Sequence, residues 1–192
     1  GYTALASNLS GTSYMDTTAA AGTTYYYVAR AKNSAGTSGN SAQFGAALLS
    51  APLVNLAFSG TSAASDNQNS ATEGSAKAFD RNPGTKWFGY NSPTGWIQYD
   101  FGANNAQVVK RYTINSADLN TRDPKSWNFR ASQDGVSWTW LASASNQIFD
   151  YPLQQKVYDI GNTTAYRFYR LEITVNNGAT GVAVAELGLW GD

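Results

Sequence analysis

The sequence predicts an all-β protein, and three observations support that prediction. Short segments such as Trp96–Phe101 (WIQYDF) alternate apolar and polar residues, which is typical of half-buried strands. Residues that form turns and strands dominate the composition: 18 Gly, 5 Pro and 26 aromatic residues, with Ala, Ser, Thr and Asn filling most of the remainder. No segment shows a convincing helical period.

The composition also excludes several classes of function. Thirteen basic and thirteen acidic residues give a formal charge of zero, so we expect neither nucleic acid nor an anionic membrane as a partner. No apolar run approaches the roughly 18 residues of a membrane span. Cysteine and histidine are absent, which excludes disulfides, thiolate metal sites and the commonest general base.

Residues 1–47 are predicted to form short strands. The segment Thr24–Lys32 (TYYYVARAK) alternates strictly between turn signals, and Tyr2–Ala6 and Thr12–Thr17 are predicted as preceding strands. The run AGTTYYYVARAKNSAG resembles the last strands of a fibronectin type III domain, a partial immunoglobulin-like sandwich, and the resemblance implies that Tyr25 forms the tyrosine corner. Because such a sandwich runs to about 100 residues, we expect its other strands to lie on polypeptide absent from this chain.

The apolar stretch that follows predicts a boundary between domains. Residues 48–54 are predicted to form a short, fairly rigid linker, and 55–192 one further domain. Asp134 and Gly135 form a hairpin signal between two of its strands. Besides Trp96–Phe101, the predicted strands of this domain are Val108–Asn115, Ser126–Ser132, Trp138–Leu141, Lys156–Ile160, Tyr166–Val175 and Ala183–Trp190.

The segment Ala76–Trp87 (AKAFDRNPGTKW) contains explicit turn chemistry. Asp80 and Asn82 can bond their own backbone, while proline and glycine supply the special dihedral angles. The same turn also brings oxygens together, from the carbonyls of Lys77, Asn82 and Thr85 and from the side chains of Asp80 and Thr85. Spacing alone is compatible with an ordinary turn or with a site for a hard cation, which takes about six to eight oxygens.

A family resemblance emerges from six blocks in order: NLAFSGTSAAS, AKAFDRNPGTKW, WIQYDFG, RYTINSADLNTRDPKSWNFRASQDGVSWTWL, YRFYRLEI and VAELGLW. Together they resemble the coagulation-factor C-type, or discoidin, domains, and most of all the bacterial family-32 carbohydrate-binding modules. The resemblance spans essentially all of 55–192. It implies a galactose-binding-like, antiparallel β-sandwich of jelly-roll type, with the ligand loops gathered at one end.

The resemblance further implies a structural calcium ion. Position by position, its ligands would be the carbonyls of Lys77, Asn82, Thr85 and Ala185 and the side chains of Asp80, Thr85 and Glu186. The ion would tie the first loop to the last strand and serve stability rather than chemistry. The alternative is that Glu186 pairs with a lysine or caps a turn.

Aromatic faces can stack on sugar rings, but the sequence assigns most tryptophans to the core. Five of them lie in alternating segments at positions that the family fills with core aromatics: Trp87, Trp96, Trp127, Trp138 and Trp190. Trp140 stays open, because its strand can have an exposed side.

Loops are the better candidates for a sugar site. By family analogy the site lies among 62–74, 88–94, 116–124 and 176–181. The stacking candidates are Phe88 and Tyr90, and the polar candidates are Glu73, Asp118, Asn120 and Arg122. The alternatives are that Arg122 and Asp123 form a salt bridge or turn lock, and that Tyr90 folds onto its own domain.

The predicted function is non-catalytic carbohydrate binding, by an accessory module of a larger secreted glycan-degrading enzyme. No catalytic motif is present, and galactose-binding relatives typically use a histidine that this chain lacks, so the sugar stays open. One alternative is an adhesion or spacer module that binds a protein. Another is a hydrolase, which requires two carboxylates facing each other across a cleft.

Overall fold

The computed structural model describes residues 1–48 and 51–192. These form two compact units, Gly1–Pro52 and Leu53–Asp192. Leu49 and Ser50, which belong to the predicted linker 48–54, lie outside the described residues. Within the described ranges, no helical segment is long and apolar enough to cross a bilayer.

The all-β prediction is confirmed, since only two short 3₁₀ turns, Ser75–Ala78 and Asn120–Arg122, interrupt the strands of the described residues. The strands are β1 (Thr24–Tyr27), β2 (Lys32–Asn33), β3 (Gly36–Thr37), β4 (Phe44–Ala47), β5 (Val54–Asn55), β6 (Thr61–Ala64), β7 (Trp87–Gly89), β8 (Gly95–Asp100), β9 (Arg111–Asn115), β10 (Pro124–Ser132), β11 (Thr139–Ala144), β12 (Gln155–Asp159), β13 (Phe168–Asn176), β14 (Val182–Val184) and β15 (Glu186–Gly191).

The first unit contains an antiparallel β1–β4 pair and a small β2–β3 hairpin, and none of the side chains in residues 1–48 is fully buried. The predicted strands Tyr2–Ala6 and Thr12–Thr17 are wrong, and Thr24–Lys32 is broken after Tyr27. Beyond that point serine hydroxyls accept backbone N–H groups that a strand ladder would otherwise use. Ser41, for example, accepts the amide of Ala29 at 3.0 Å.

The second unit is a sandwich of two antiparallel sheets. One has the strand order β11-β10-β13-β8-β6 and the other β12-β9-β15-β5. Alternation decides which side chains face inward: in β8, Ile97 and Tyr99 are buried, whereas Trp96, Gln98 and Asp100 are partly exposed. The layers meet where Tyr112 of β9 stacks on Phe129 of β10, with ring centroids 4.2 Å apart.

The tryptophans divide between the core and the outer face. Trp87 and Trp127 are buried as predicted. The core prediction is wrong for three that are only half-buried: Trp96, Trp138 and Trp190. Trp96 and Trp138 enclose the guanidinium of Arg170, which lies 4.0 and 3.9 Å from the two ring centroids. These indoles are covered by a cation rather than by the core.

One end of the sandwich collects its long loops. β9 ends at Asn115 and β10 begins at Pro124, so the loop between them lies at that end. The β7–β14 pair lies there too, because the strand β15 that follows it begins opposite Asn115. We call this end the rim.

Candidate functional site

The turn predicted within Ala76–Trp87 is closed by its own side chains and backbone. The side-chain oxygen of Asn82 accepts the N–H of Gly84 at 3.0 Å. The backbone carbonyl of Asn82 accepts the N–H of Thr85, also at 3.0 Å. Arg81 occupies the left-handed region with φ of 61°, which turns the chain sharply after Asp80. The local sequence therefore folds as its turn residues predict.

Oxygen atoms converge inside this turn. The hydroxyl of Thr85 lies 2.9 Å from each carboxylate oxygen of Asp80, 2.9 Å from the carbonyl of Asn82 and 3.5 Å from that of Lys77. The ammonium of Lys77 stands 3.4 Å from Asp80 and balances part of its charge. Four of the predicted calcium ligands thus meet at one place.

Glu186 reaches the same place from β15. Its carboxylate accepts the N–H of Asn82 at 2.8 Å, an amide that also donates to Asp80 at 3.0 Å. Burial, and then the neighbouring carboxylate of Asp80, raises the pKa of Glu186 to about 7. Ala185, the remaining predicted ligand, is buried directly before Glu186 and donates its N–H to the carbonyl of Asn115.

The cluster contains more oxygens than protons. The hydroxyl of Thr85 can donate to one neighbour at a time, although four oxygens surround it. Two carboxylates, a hydroxyl and carbonyls form the ligand chemistry that a hard cation prefers, so the residues fit calcium. Within the described ranges no three Asp, Glu, His or Cys side chains meet, so any ion held here would depend partly on backbone oxygens.

Hydrogen bonds join the four loops predicted to carry a sugar site in two pairs. Asp66 accepts both the backbone and side-chain N–H groups of Asn91 at 2.9 Å, which links the first two loops. Across the rim, the N–H of Ala179 donates to the carbonyl of Thr121 at 3.0 Å, which links the last two. Lys86, which pairs with both Glu73 and Asp118, links the two pairs of loops, so the rim is one connected surface.

Lys86 connects two of the predicted polar residues, although it was not itself predicted as a site residue. Its ammonium lies 3.1 Å from Glu73 and 3.2 Å from Asp118. A signal was available, because Trp87 was assigned to the core and the side chains of its two strand neighbours must point the other way. Lys86 and Phe88 accordingly both reach the loop 116–124, where Lys86 meets Asp118 and Phe88 packs with Ala117.

Phe88 is only 3% exposed, and its predicted role as a stacking surface is wrong. It packs with Ala117, and the guanidinium of Arg122 covers its ring at 4.0 Å from the centroid. Tyr90, in contrast, is 54% exposed and meets Phe88 edge-on at 6.0 Å. Phe88 thus supports a surface on which Tyr90 and Arg122 are the outer groups.

The buried side chain of Asp123 stabilises the loop 116–124. This carboxyl group is buried, and one of its oxygens accepts the N–H of Ala117 at 3.1 Å. The predicted alternative was a salt bridge or a turn lock of Arg122 and Asp123. Among the described residues there is no such salt bridge, since Arg122 covers Phe88, but Asp123 does lock the loop through Ala117. Asn120 donates its side-chain amide to the carbonyl of Phe149 at 3.3 Å, which partly occupies this predicted sugar ligand.

Comparison with known proteins yields a family match. The profile of the F5/8 type C domain matches residues 61–187. Among curated proteins, a peptide-N(4)-(N-acetyl-β-glucosaminyl)asparagine amidase of Arabidopsis thaliana is 32% identical over 151 residues, covering 74% of this chain. The chain spans about a fifth of that relative's length, 21%.

Solved structures share the fold. A chitosan-binding module from a Paenibacillus chitosanase/glucanase superposes with a TM-score of 0.59 at 22% identity, covering 72% of this chain and 99% of the module. A module from Clostridium perfringens, solved in complex with GalNAc-β-1,3-galactose, gives a TM-score of 0.60 at 15% identity, covering 73% of this chain and 100% of the module.

Proposed function

The chain belongs to the F5/8 type C domain family, and from that premise we propose that its rim is a non-catalytic binding site for carbohydrate. The observation that carries the proposal is the exposed ring of Tyr90, which contacts Phe88 on one side while the guanidinium of Arg122 covers the same phenyl ring. An aromatic face attracts the partially positive C–H bonds of a pyranose ring, and the charged groups bond its hydroxyls.

Several features of the rim favour sugar over the alternatives. A protein partner would favour a flat apolar patch, whereas the rim that carries Tyr90 also carries the ion pairs of Lys86 with Glu73 and Asp118. Glu73 and Asp118 both pair with Lys86, so neither is poised as the free acid or nucleophile that glycoside hydrolysis needs. We expect a Kd of roughly 0.01–1 mM, as for a shallow site that makes few fully desolvated contacts.

A glycan array probed with the full chain tests this proposal. Tyr90→Ala and Arg122→Ala are each expected to weaken a detected hit about tenfold or more, since each removes an outer contact group. Arg122→Lys should weaken it as well, because lysine keeps the charge but loses the planar group that covers Phe88.

Tyr14→Ala serves as the matched control, because Tyr14 is exposed to a similar degree but lies in the first unit. It should leave binding unchanged. Full retention of affinity in both Tyr90→Ala and Arg122→Ala would reject the assignment of the rim.

We also propose that the oxygen cluster around Asp80 and Glu186 holds a structural calcium ion. Asp80, Thr85 and Glu186 would supply side-chain oxygens, and carbonyls of the turn would complete the shell. When bound, the ion supplies positive charge that offsets the repulsion between the two carboxylates. Its effect would be to fasten the first loop of the module to β15.

Chelation with EDTA is expected to lower the Tm of the calcium-loaded chain by about 5–10 °C. This corresponds to roughly 2.7 kcal/mol of binding linkage at calcium 100 times its Kd. Glu186→Gln should abolish the response and should leave the calcium-free protein at least as stable, because it removes a buried charge beside Asp80.

Asp150→Asn, at an exposed aspartate, should keep the full response to chelation. The measurement is differential scanning calorimetry with and without EDTA. An unchanged Tm of the unsubstituted chain after chelation would reject the calcium site.

The first unit would be the C-terminal half of a fibronectin type III domain. In support, the hydroxyl of Tyr25 accepts the N–H of Ala20, five residues upstream, at 3.2 Å, as a tyrosine corner does. The antiparallel β1–β4 pair is compatible with this. In this reading the chain is an accessory part of a secreted enzyme, and the rim raises the concentration of the catalytic domain at its polysaccharide.

A further inference from the structure

A concavity lies on the second unit away from the rim. It has a volume of about 310 Å³, at the lower end of the range for small-molecule sites. Its wall is the strand segment Trp140–Leu141 of β11, and its other side is the loop Gly161–Thr164 that follows β12. Trp140 is 57% exposed, the largest exposure of the six indoles among the residues described.

The loop side of this concavity is rigidly held. The side-chain amide of Asn162 donates to the carbonyls of Val109 and Thr164, and its oxygen accepts the N–H of Thr164 at 3.0 Å. The same amide also lies 3.3 Å from the hydroxyl of Tyr169 in the core. A loop fixed in this way offers its outer groups in a preorganised arrangement.

The groups that face outward are uncharged. Thr163 and Thr164 are exposed, and within the described part of the chain neither hydroxyl bonds to the protein. Every lining residue is uncharged. Charged side chains on both sides of the concavity are paired: Arg130, opposite Trp140 in strand register, lies 2.9 Å from Glu172, and Asp159, two residues before Gly161, lies 2.6 Å from Arg111.

We propose that this concavity, the Trp140 site, is a second binding site for a neutral sugar unit, independent of the rim. The indole of Trp140 would stack on the C–H face of a pyranose, while the threonine hydroxyls and the backbone of Gly161 would bond its hydroxyls. A uronate or an amino sugar fits less well, because no lining side chain would balance its charge. The choice of ligand class rests on the function proposed for the rim.

The two sites are far enough apart to act separately. β10 starts at the rim with Pro124 and reaches Arg130, the partner of Trp140, six residues later. At about 3.3 Å per residue the Trp140 site lies roughly 20 Å from the rim. A long chain could occupy both sites, or two chains could be bridged, and either arrangement raises avidity without any new contact.

Two-dimensional NMR on the full chain tests the proposal, with cellohexaose, laminarihexaose and mannohexaose as the neutral probes. At least one probe is expected to shift the indole N–H of Trp140 and the amides of Gly161–Thr164, with an apparent Kd in the millimolar range. These shifts should persist in Tyr90→Ala. Trp140→Ala should weaken binding at the second site tenfold or more and leave the rim resonances responsive.

Val136→Ala, at an exposed position of the neighbouring hairpin, is the matched control and should keep both responses. Rim shifts without any response at Trp140 would overturn the second site and leave the proposed function standing. Trp140 shifts that vanish in Tyr90→Ala would overturn its independence. A response at neither place overturns the Trp140 site, and a negative glycan array would then reject the rim separately.

Discussion

Trp127→Ala is expected to lower the free energy of unfolding by about 3–5 kcal/mol, the largest effect of any single change proposed for this protein. The indole is 1% exposed, and its N–H donates to the hydroxyl of Tyr112 at 3.0 Å. Its ring meets Tyr158 edge-on at 5.3 Å. The substitution leaves a cavity between the sheets and removes the donor to the Tyr112 hydroxyl.

The measurement is urea unfolding followed by circular dichroism, compared with Trp140→Ala. Because Trp140 is largely exposed, removal of its indole should change stability by only about 0.5 kcal/mol. The two variants make the same chemical change, so the difference between their losses of unfolding free energy measures the contribution of core packing. Similar losses in both variants would contradict the core described here.

Asp123 is expected to make the stability of the second unit depend on pH. Burial raises the pKa of this carboxyl group from 3.8 to about 7, and its second oxygen has no partner among the described residues. Between these two values the folded protein holds a proton that the unfolded chain has released, so the free energy of unfolding falls as pH rises from about 4 to 7. The total is roughly 4 kcal/mol, and the curve is flat above pH 7.

Asp123→Asn isolates this contribution, because an amide does not titrate. Unfolding free energies of both proteins are measured between pH 4 and 8 at saturating calcium. We expect the difference between Asp123→Asn and the unsubstituted chain to shift in favour of the variant by several kcal/mol as pH rises. Asp150→Asn, at an exposed position, should give a curve parallel to that of the unsubstituted chain. A parallel curve for Asp123→Asn would contradict the prediction.

The turn at Asp80 could be predicted because its determinants are local. Asp80, Asn82 and Thr85 lie within six residues, and each contributes a bond that its residue type favours. The contribution of Glu186 could not be found in this way, since 104 residues separate it from Asn82. Only the family resemblance linked the two, because no local rule connects positions that far apart.

The tryptophans show what alternation cannot decide. A period of two states which side chains share a face, but it does not state which face is buried. Trp96 alternates with Ile97, and only the second points into the core. The outer position of Trp96 depends on Arg170, which the pairing of β8 with β13 brings beside it. That register is a property of the sheet, not of either strand alone.

The rim was predicted at the level of loops better than at the level of side chains. The four loops do join, since they connect strands that end at the same edge of the sandwich. Phe88 was misassigned because it follows the core residue Trp87 in a strand, where it pairs with Ala183 beneath Arg122. Lys86 was missed because its two partners, Glu73 and Asp118, come from different loops.

The place of β15 also bears on how the polypeptide acquires its structure during biosynthesis. This strand is the last in chain order, yet it is an interior strand of its sheet, paired with β9 on one side and β5 on the other. Until residues 186–191 have left the ribosome, β5 has no partner in the sheet and β9 has an open edge. The second unit therefore completes its fold only after nearly all of it has been translated, and until then the open edges of β9 and β5 are available for wrong pairing.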